Sequence, residues 1–397
     1  MKKQSFFNSL SPDNRYLVLS VFSIYLVQGI YIIMIGSALP MIKAEYQIDY
    51  QVGGMLLSVQ SIGYLVMGVV TGILPKYLGM KRTILILTNF AFVGLAIMMV
   101  TGNPVLLLFA MLMTGISKGA TTNFNNQIVT TLSGGDAGAL NLLHACFAVG
   151  ACIAPLIVLA CGASWRTAFA IEIVIGIVCF LFNSRLKAGP EVCAQEQKGK
   201  ADFGFLGEKI FWLCTILMFG YQAIEASVMG WLVTFFVDSG TVDSAAAQLL
   251  TSALWIALLV GRFTSSFLAR RFRPYQMITV MVIGIAAFFA LMMGSSALVP
   301  MTIGTIGLGL CMAGMYGTIV ANGGDLFDRY PMCMGVFVTI PGIGATIAPS
   351  VIGMISDQLG IRGGMSVLFV PAVLLLLVGA CNLAYQKAHR RGNKKAV

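Results

Sequence analysis

The chain has 397 residues, 58% of them hydrophobic and only 10% charged, with a formal net charge of +10; soluble domains carry about 25% charged residues. A mean hydropathy of +0.89 argues against a soluble enzyme, a nucleic-acid-binding protein and a secreted disulfide scaffold, and leaves transporter, channel and membrane-embedded enzyme open. A bilayer core takes about 20 apolar residues per helix, so the length suits twelve spans with short loops.

Behind Lys2 and Lys3 a polar stretch runs to Arg15, and the apolar run that follows has no small-residue cleavage site, so it is expected to stay as a first helix. Apolar windows between charged or Gly/Pro punctuation predict spans at 16–39, 52–74, 83–101, 105–129, 140–161 and 167–184. After a charged stretch come 210–237, 245–268, 276–293, 299–322, 332–356 and 364–385. With the N-terminus inside, twenty of the 25 Lys and Arg residues fall in cytoplasmic segments. Lys and Arg are retained on that side, which places both termini in the cytoplasm. The nine cysteines are an odd number, and seven lie within apolar stretches, where they are read as small core residues rather than a disulfide framework.

Residues 185–209 are polar and read as a linker between a six-helix bundle at 1–184 and another at 210–397. Val149 to Pro155 (VGACIAP) and Ile343 to Pro349 (IGATIAP) lie 194 residues apart, and the same offset carries Gln28, Ile30 and Gly36 onto Gln222, Ile224 and Gly230. Two coincidences at one offset are the internal symmetry of a duplicated unit. The expected fold is therefore an all-α membrane protein of twelve transmembrane helices in two pseudo-symmetric six-helix bundles.

That plan resembles the major facilitator superfamily. Gly72 to Arg82 (GILPKYLGMKR) is similar to the superfamily's loop after the second span, with Gly72, Gly79, Lys81 and Arg82 in place and Lys76 and Tyr77 where Asp and Arg are usual. Gly261-Arg262 followed by Leu268 to Phe272 resembles its second-half counterpart. Asn141 to His144 with Phe147, Gly150 and Pro155, and Tyr221, Glu225, Ser227 and Trp231, resemble the fifth and seventh spans of the fucose:proton symporter and sodium-dependent glucose transporter group. The acidic residue that those symporters place in the first span has no equivalent between Arg15 and Pro40, and Thr122 stands where an acid is common in the fourth.

An ionisable group in mid-membrane costs about 2.5–3.5 kcal/mol on insertion scales, so each should have a partner or a watery cavity. Lys118 lies mid-way along the fourth span among small and polar residues; it is read either as a contact for a solute carboxylate or hydroxyl, or as a lysine whose stem lies along an apolar wall. Glu225 is a candidate carrier of a proton or sodium ion, or a hydrogen-bonder between helices. A bridge between Lys118 and Glu225 would give solute and cation something to rearrange. His144 could relay protons or simply pack. Arg262 is assigned to packing or gating through Asp325 or Asp328, and Glu172, placed near the outer end of the sixth span, to structure. Gln28, Asn123, Asn126, Gln222 and Asn322 offer donors and acceptors, and Trp255 and Tyr316 offer flat faces for a sugar ring. Helices 1, 4, 7 and 10 line the cavity in the family that the chain resembles.

No phosphate-binding Gly-Lys-Ser/Thr loop and no metal-spaced Cys/His cluster occurs in the sequence, and two histidines leave little for hydrolysis. The expectation is a monomeric secondary transporter in a bacterial inner membrane. It takes no cofactor, and it imports a small solute, a sugar first of all, coupled to H+ or Na+. The alternatives are an organic-anion carrier that uses Lys118 and a drug exporter.

Overall fold

The computed structural model describes residues 10–134, 137–162, 164–185, 202–240, 242–330 and 332–395, without the side chains of 137, 328 and 390–395. Most of the expected linker, 186–201, and the side chain of Asp328 lie outside the described residues. The chain forms two compact units, one of Met1–Ile48 with Met55–Glu196 and one of Asp49–Gly54 with Gln197–Val397.

The first unit holds α1 (Pro12–Tyr46), α2 (Tyr50–Ile73, whose first turn belongs to the second unit), α3 (Met80–Val100), α4 (Pro104–Ser133), α5 (Ala137–Ala160) and α6 (Trp165–Asn183). Local signals start these helices where apolar periodicity begins. Ser11 accepts from the Asn14 amide ahead of Pro12, and Asn103 accepts from the Val105 amide at 3.0 Å ahead of Pro104. A side-chain acceptor satisfies an orphan amide of the first turn, and proline there lacks one to satisfy. The second unit continues with α7 (Lys209–Asp238), α8 (Ser244–Leu268), α9 (Pro274–Gly294), α10 (Leu298–Met312, resumed as Met315–Gly323 after a break), α11 (Cys333–Ser366) and α12 (Phe369–Lys395).

The faces of these helices are inverted relative to a soluble protein. Along α6, Val174, Ile177, Val178 and Leu181 are exposed, while Glu172 and Asn183 are buried. In water the stripes would be reversed; in lipid the apolar face needs no cover, and polar groups must turn inward.

Between lipid-soluble helices there is no hydrophobic drive to associate, so close backbone approach carries the packing. Gly29 of α1 and Gly150 of α5 meet reciprocally: a Cβ at Gly29 would lie 2.1 Å from the Phe147 carbonyl oxygen, and one at Gly150 would lie 2.1 Å from that of Leu26. The repeat reproduces half of this contact, because Gly344 of α11, 194 residues on from Gly150, lies against the Phe219 backbone of α7. Gly150→Ala should lower the thermal unfolding temperature in detergent. Its methyl would force α1 and α5 apart at about 1–3 kcal/mol, which outweighs the ~1 kcal/mol by which alanine favours a helix over glycine.

Eleven segments of the described residues are long and apolar enough to span a membrane, and the last is a 57-residue run from Cys333 to His389. That run contains two spans. Pro341 and Pro349 stay within helix, whereas Gly360 takes φ 70° and ψ 170°, a backbone open only to glycine. Beyond it the chain doubles back, since a Cβ at Gly364 would lie 2.5 Å from the carbonyl oxygen of Ile352, twelve residues earlier. The fold is therefore the expected all-helical membrane protein of twelve spans. Within the second unit, the Asp357 carboxylate caps the start of α2, accepting from the amides of Tyr50 and Gln51 at 2.9 Å each. The Tyr50 hydroxyl donates to Asp238 at 2.8 Å.

Candidate functional site

In the first unit, α4 carries Lys118, Thr122 and Asn126 at four-residue spacing, which places them on one helix face. Gln28 of α1 closes on that face: its buried amide donates to the Thr122 hydroxyl at 3.0 Å and to the Lys118 carbonyl at 3.3 Å. The Lys118 ammonium lies 5.3 Å from the centre of the Tyr64 ring of α2, within reach of a cation–π attraction. The carboxamide oxygen of Asn126 is buried without a partner. These residues make an amide, hydroxyl, ammonium and ring cluster that can offer donors to a solute oxygen and a flat surface to its apolar side.

Asn123, one residue round the helix, is not part of this cluster. Its amide donates at 3.1 Å to both the Met67 carbonyl and the Thr71 hydroxyl, so it ties α4 to α2. His144 of α5 is half-buried, with Nδ1 3.4 Å from the Tyr25 hydroxyl, one turn before Gln28 on α1. Glu172 lies nearer mid-helix than the outer-end position expected of it. It is the eighth of the nineteen residues of α6, it is fully buried, and neither carboxylate oxygen has a hydrogen-bond partner.

In the second unit, the Glu225 carboxylate accepts from the Tyr221 hydroxyl one turn earlier on α7, at 2.6 Å. Arg262 of α8 acts electrostatically on Tyr221, and Glu225 acts on Tyr316 of α10. A membrane carboxylate that accepts from a hydroxyl, with a guanidinium nearby, can change partner when a cation arrives. Gln222 is half-buried on the same helix. The two aromatic faces differ: Trp255 is enclosed at 1% exposure, whereas Tyr316 is 45% exposed.

Asn322 is spent on packing, donating to Asn382 of α12 at 2.8 Å and lying 3.5 Å from the Cys214 sulfur. The expected pairing of Arg262 with Asp325 is not present: Asp325 forms no ion pair among the described residues, and its neighbour Arg329 reaches Glu208 at 3.8 Å instead. Gly72 in the last turn of α2 and Arg82 in the first turn of α3 are exposed, and between them Gly79 supplies the φ of 78° that turns the chain into α3.

A family model described as Major Facilitator Superfamily matches residues 17–322. The chain belongs to the major facilitator superfamily. It is thus a membrane transporter and not an enzyme. Among curated relatives it is similar to the 3-(3-hydroxy-phenyl)propionate transporter of Escherichia coli strain K12, 24% identical over 88% of this chain and 87% of that one. Among solved structures it is similar to the nucleoside transporter NupG, with a TM-score of 0.72 at 17% identity over 94% of this chain and 99% of that one. It is also similar to a single-residue variant of the E. coli fucose:proton symporter FucP, with a TM-score of 0.61 at 17% identity over 93% and 99%. At these identities the structural likenesses speak for the fold alone. Within this superfamily member, Tyr64 and Tyr221 are the site residues that the sequence left unassigned as ligands. Tyr221 had a legible signal, its i, i+4 spacing to Glu225; Tyr64, on another helix from Lys118, had none.

Proposed function

We propose that this transporter imports a small polar solute, a sugar or similar polyol, by proton or sodium symport with alternating access. We place it in a bacterial inner membrane, as a monomer with both termini in the cytoplasm. The observation that carries the reading is Glu225: a carboxylate within a span, held by a short bond from Tyr221, with the guanidinium of Arg262 near that tyrosine. The Thr122 hydroxyl, which Gln28 holds in place, and the Lys118 ammonium offer the neutral and charged donors that a polyhydroxylated solute needs, and the likeness to a protein named as a fucose:proton symporter agrees with that class.

A second reading is a carrier of organic carboxylates. Lys118 beside the Tyr64 ring offers an ammonium and an aromatic face together, and the relative that extends over 88% of this chain is named for a solute with a ring and a carboxylate. Purified protein in proteoliposomes, given labelled hexose or labelled phenylpropionate with and without an imposed proton or sodium gradient, separates the two. Gradient-dependent hexose uptake is expected. Carboxylate uptake that needs no gradient, with no hexose uptake, favours the second reading, and outward movement of lipophilic cations alone overturns both.

A further inference from the structure

The first unit holds a small cavity beside the Lys118 cluster, with Gln28 common to both. It has a volume of about 20 Å³ and is lined from α1, α3, α4 and α6, with Gln28, Tyr31, Thr88, Asn89 and Asn183 as its main polar residues. A water needs about 10–15 Å³ of such space and two to four polar partners. The cavity wall has bonding capacity to spare, because the Tyr31 hydroxyl, the Gln28 carboxamide oxygen and the Asn183 carboxamide oxygen are all buried without partners. Ser117 lies beside Tyr31 but gives its proton to the Thr88 carbonyl at 2.7 Å.

Glu172 stands one turn before Gly176, which lines the cavity, and is close enough to Tyr31 and Cys179 to act on both electrostatically. Those two are the titratable groups that face it. The other helix packed broadly on α6, α3, brings Thr88, Asn89 and Phe92 to the cavity, and no charged group among the described residues acts on Glu172. An ionised carboxylate with no hydrogen bond and no counter-charge in mid-membrane is the most costly state available to it; a proton on one oxygen removes the charge. Glu172 shares one face of α6 with Gly176, Cys179 and Asn183 at helical spacing, so it stands one turn beyond the residues that line the cavity.

We propose that Glu172 is a proton-binding carboxyl of the first unit, loaded through this cavity. A hydrated proton entering at the Asn183 end passes to a Glu172 oxygen and leaves neutral water behind, and the reverse step returns the proton to water. Gln28 forms a shared wall, its nitrogen on Thr122 and the Lys118 carbonyl and its oxygen buried without a partner. Protonation of Glu172 is thereby one glutamine away from the Lys118 cluster. The repeat gives the arrangement a counterpart, since Tyr31 occupies the position of Glu225 and each unit sets a tyrosine beside a glutamate. Use of this proton in transport rests on the symport reading above; its binding does not.

The test uses full-length protein in lipid nanodiscs, with no solute, and infrared difference spectra recorded across a pH series. A band from a protonated carboxyl at neutral pH is expected to be lost in E172Q, kept in E225Q and shifted in Y31F, and its exchange in heavy water should slow at least severalfold in N183L. A band that persists unchanged in E172Q, or an exchange rate indifferent to N183L, overturns the proposal. Should E172Q not fold, Y31F decides in its place: a shifted band supports the assignment and an unshifted one overturns it. A chain that shows the Glu172 band yet no gradient-driven uptake keeps this site and loses the symport reading; a working symporter without the band does the reverse.

Discussion

Glu225→Gln is expected to bring solute in proteoliposomes only to the external concentration under an imposed proton or sodium gradient, while counterflow of the same solute continues. The amide matches the carboxylate in size and still accepts from Tyr221, so the short contact along α7 survives. What disappears is the ability to take up a proton or to neutralise a cation. A charge in this setting is worth about 2.5–3.5 kcal/mol of insertion cost, and a group that costs so much and changes charge on each cycle is the natural place to link cation and solute. Tyr221→Phe removes the hydroxyl that donates to that carboxylate and should alter the cation dependence of uptake without abolishing it. Accumulation above the external concentration by the Gln variant would place the coupling elsewhere.

Lys118→Ala separates the two solute classes by size of effect. Hydrogen bonds to charged groups are worth about 1.5–3 kcal/mol and neutral ones about 0.5–1.5. Loss of an ammonium that binds a carboxylate should therefore weaken half-saturation by about ten- to a hundred-fold. A polyol keeps the Thr122 hydroxyl as a donor and should lose no more than about tenfold. Initial uptake rates against concentration, for the hexose and for the carboxylate, read this directly. An alanine variant with unaltered affinity for both would remove Lys118 from the binding cluster.

The spans were legible because lipid imposes one rule on every helix, a run of apolar residues of fixed length, and nine of the twelve expected windows match a helix or a helix pair within four residues at each end. The twelfth boundary was harder, since nothing in the apolar run marks Gly360 as different from the other glycines nearby; only its φ does so. Helical periodicity could have sorted Lys118, Thr122 and Asn126 from Asn123, because four-residue steps share a face and a one-residue step turns away by about 100°. The full burial of Glu172 was not legible for another reason. Its distance along the chain from the loop was visible, but which side of α6 meets α1 depends on packing among helices that lie far apart in sequence. The failure of Arg262 to meet Asp325 has the same cause.

The backbone bend at Gly360 decides how the last apolar run can fit a membrane. As one straight helix the 57-residue segment would extend about 85 Å, nearly three times a hydrocarbon layer of about 30 Å. A single glycine divides it into an outward and a return stroke, each short enough to match that layer. A side chain at that one position would strain the joint on which both strokes depend.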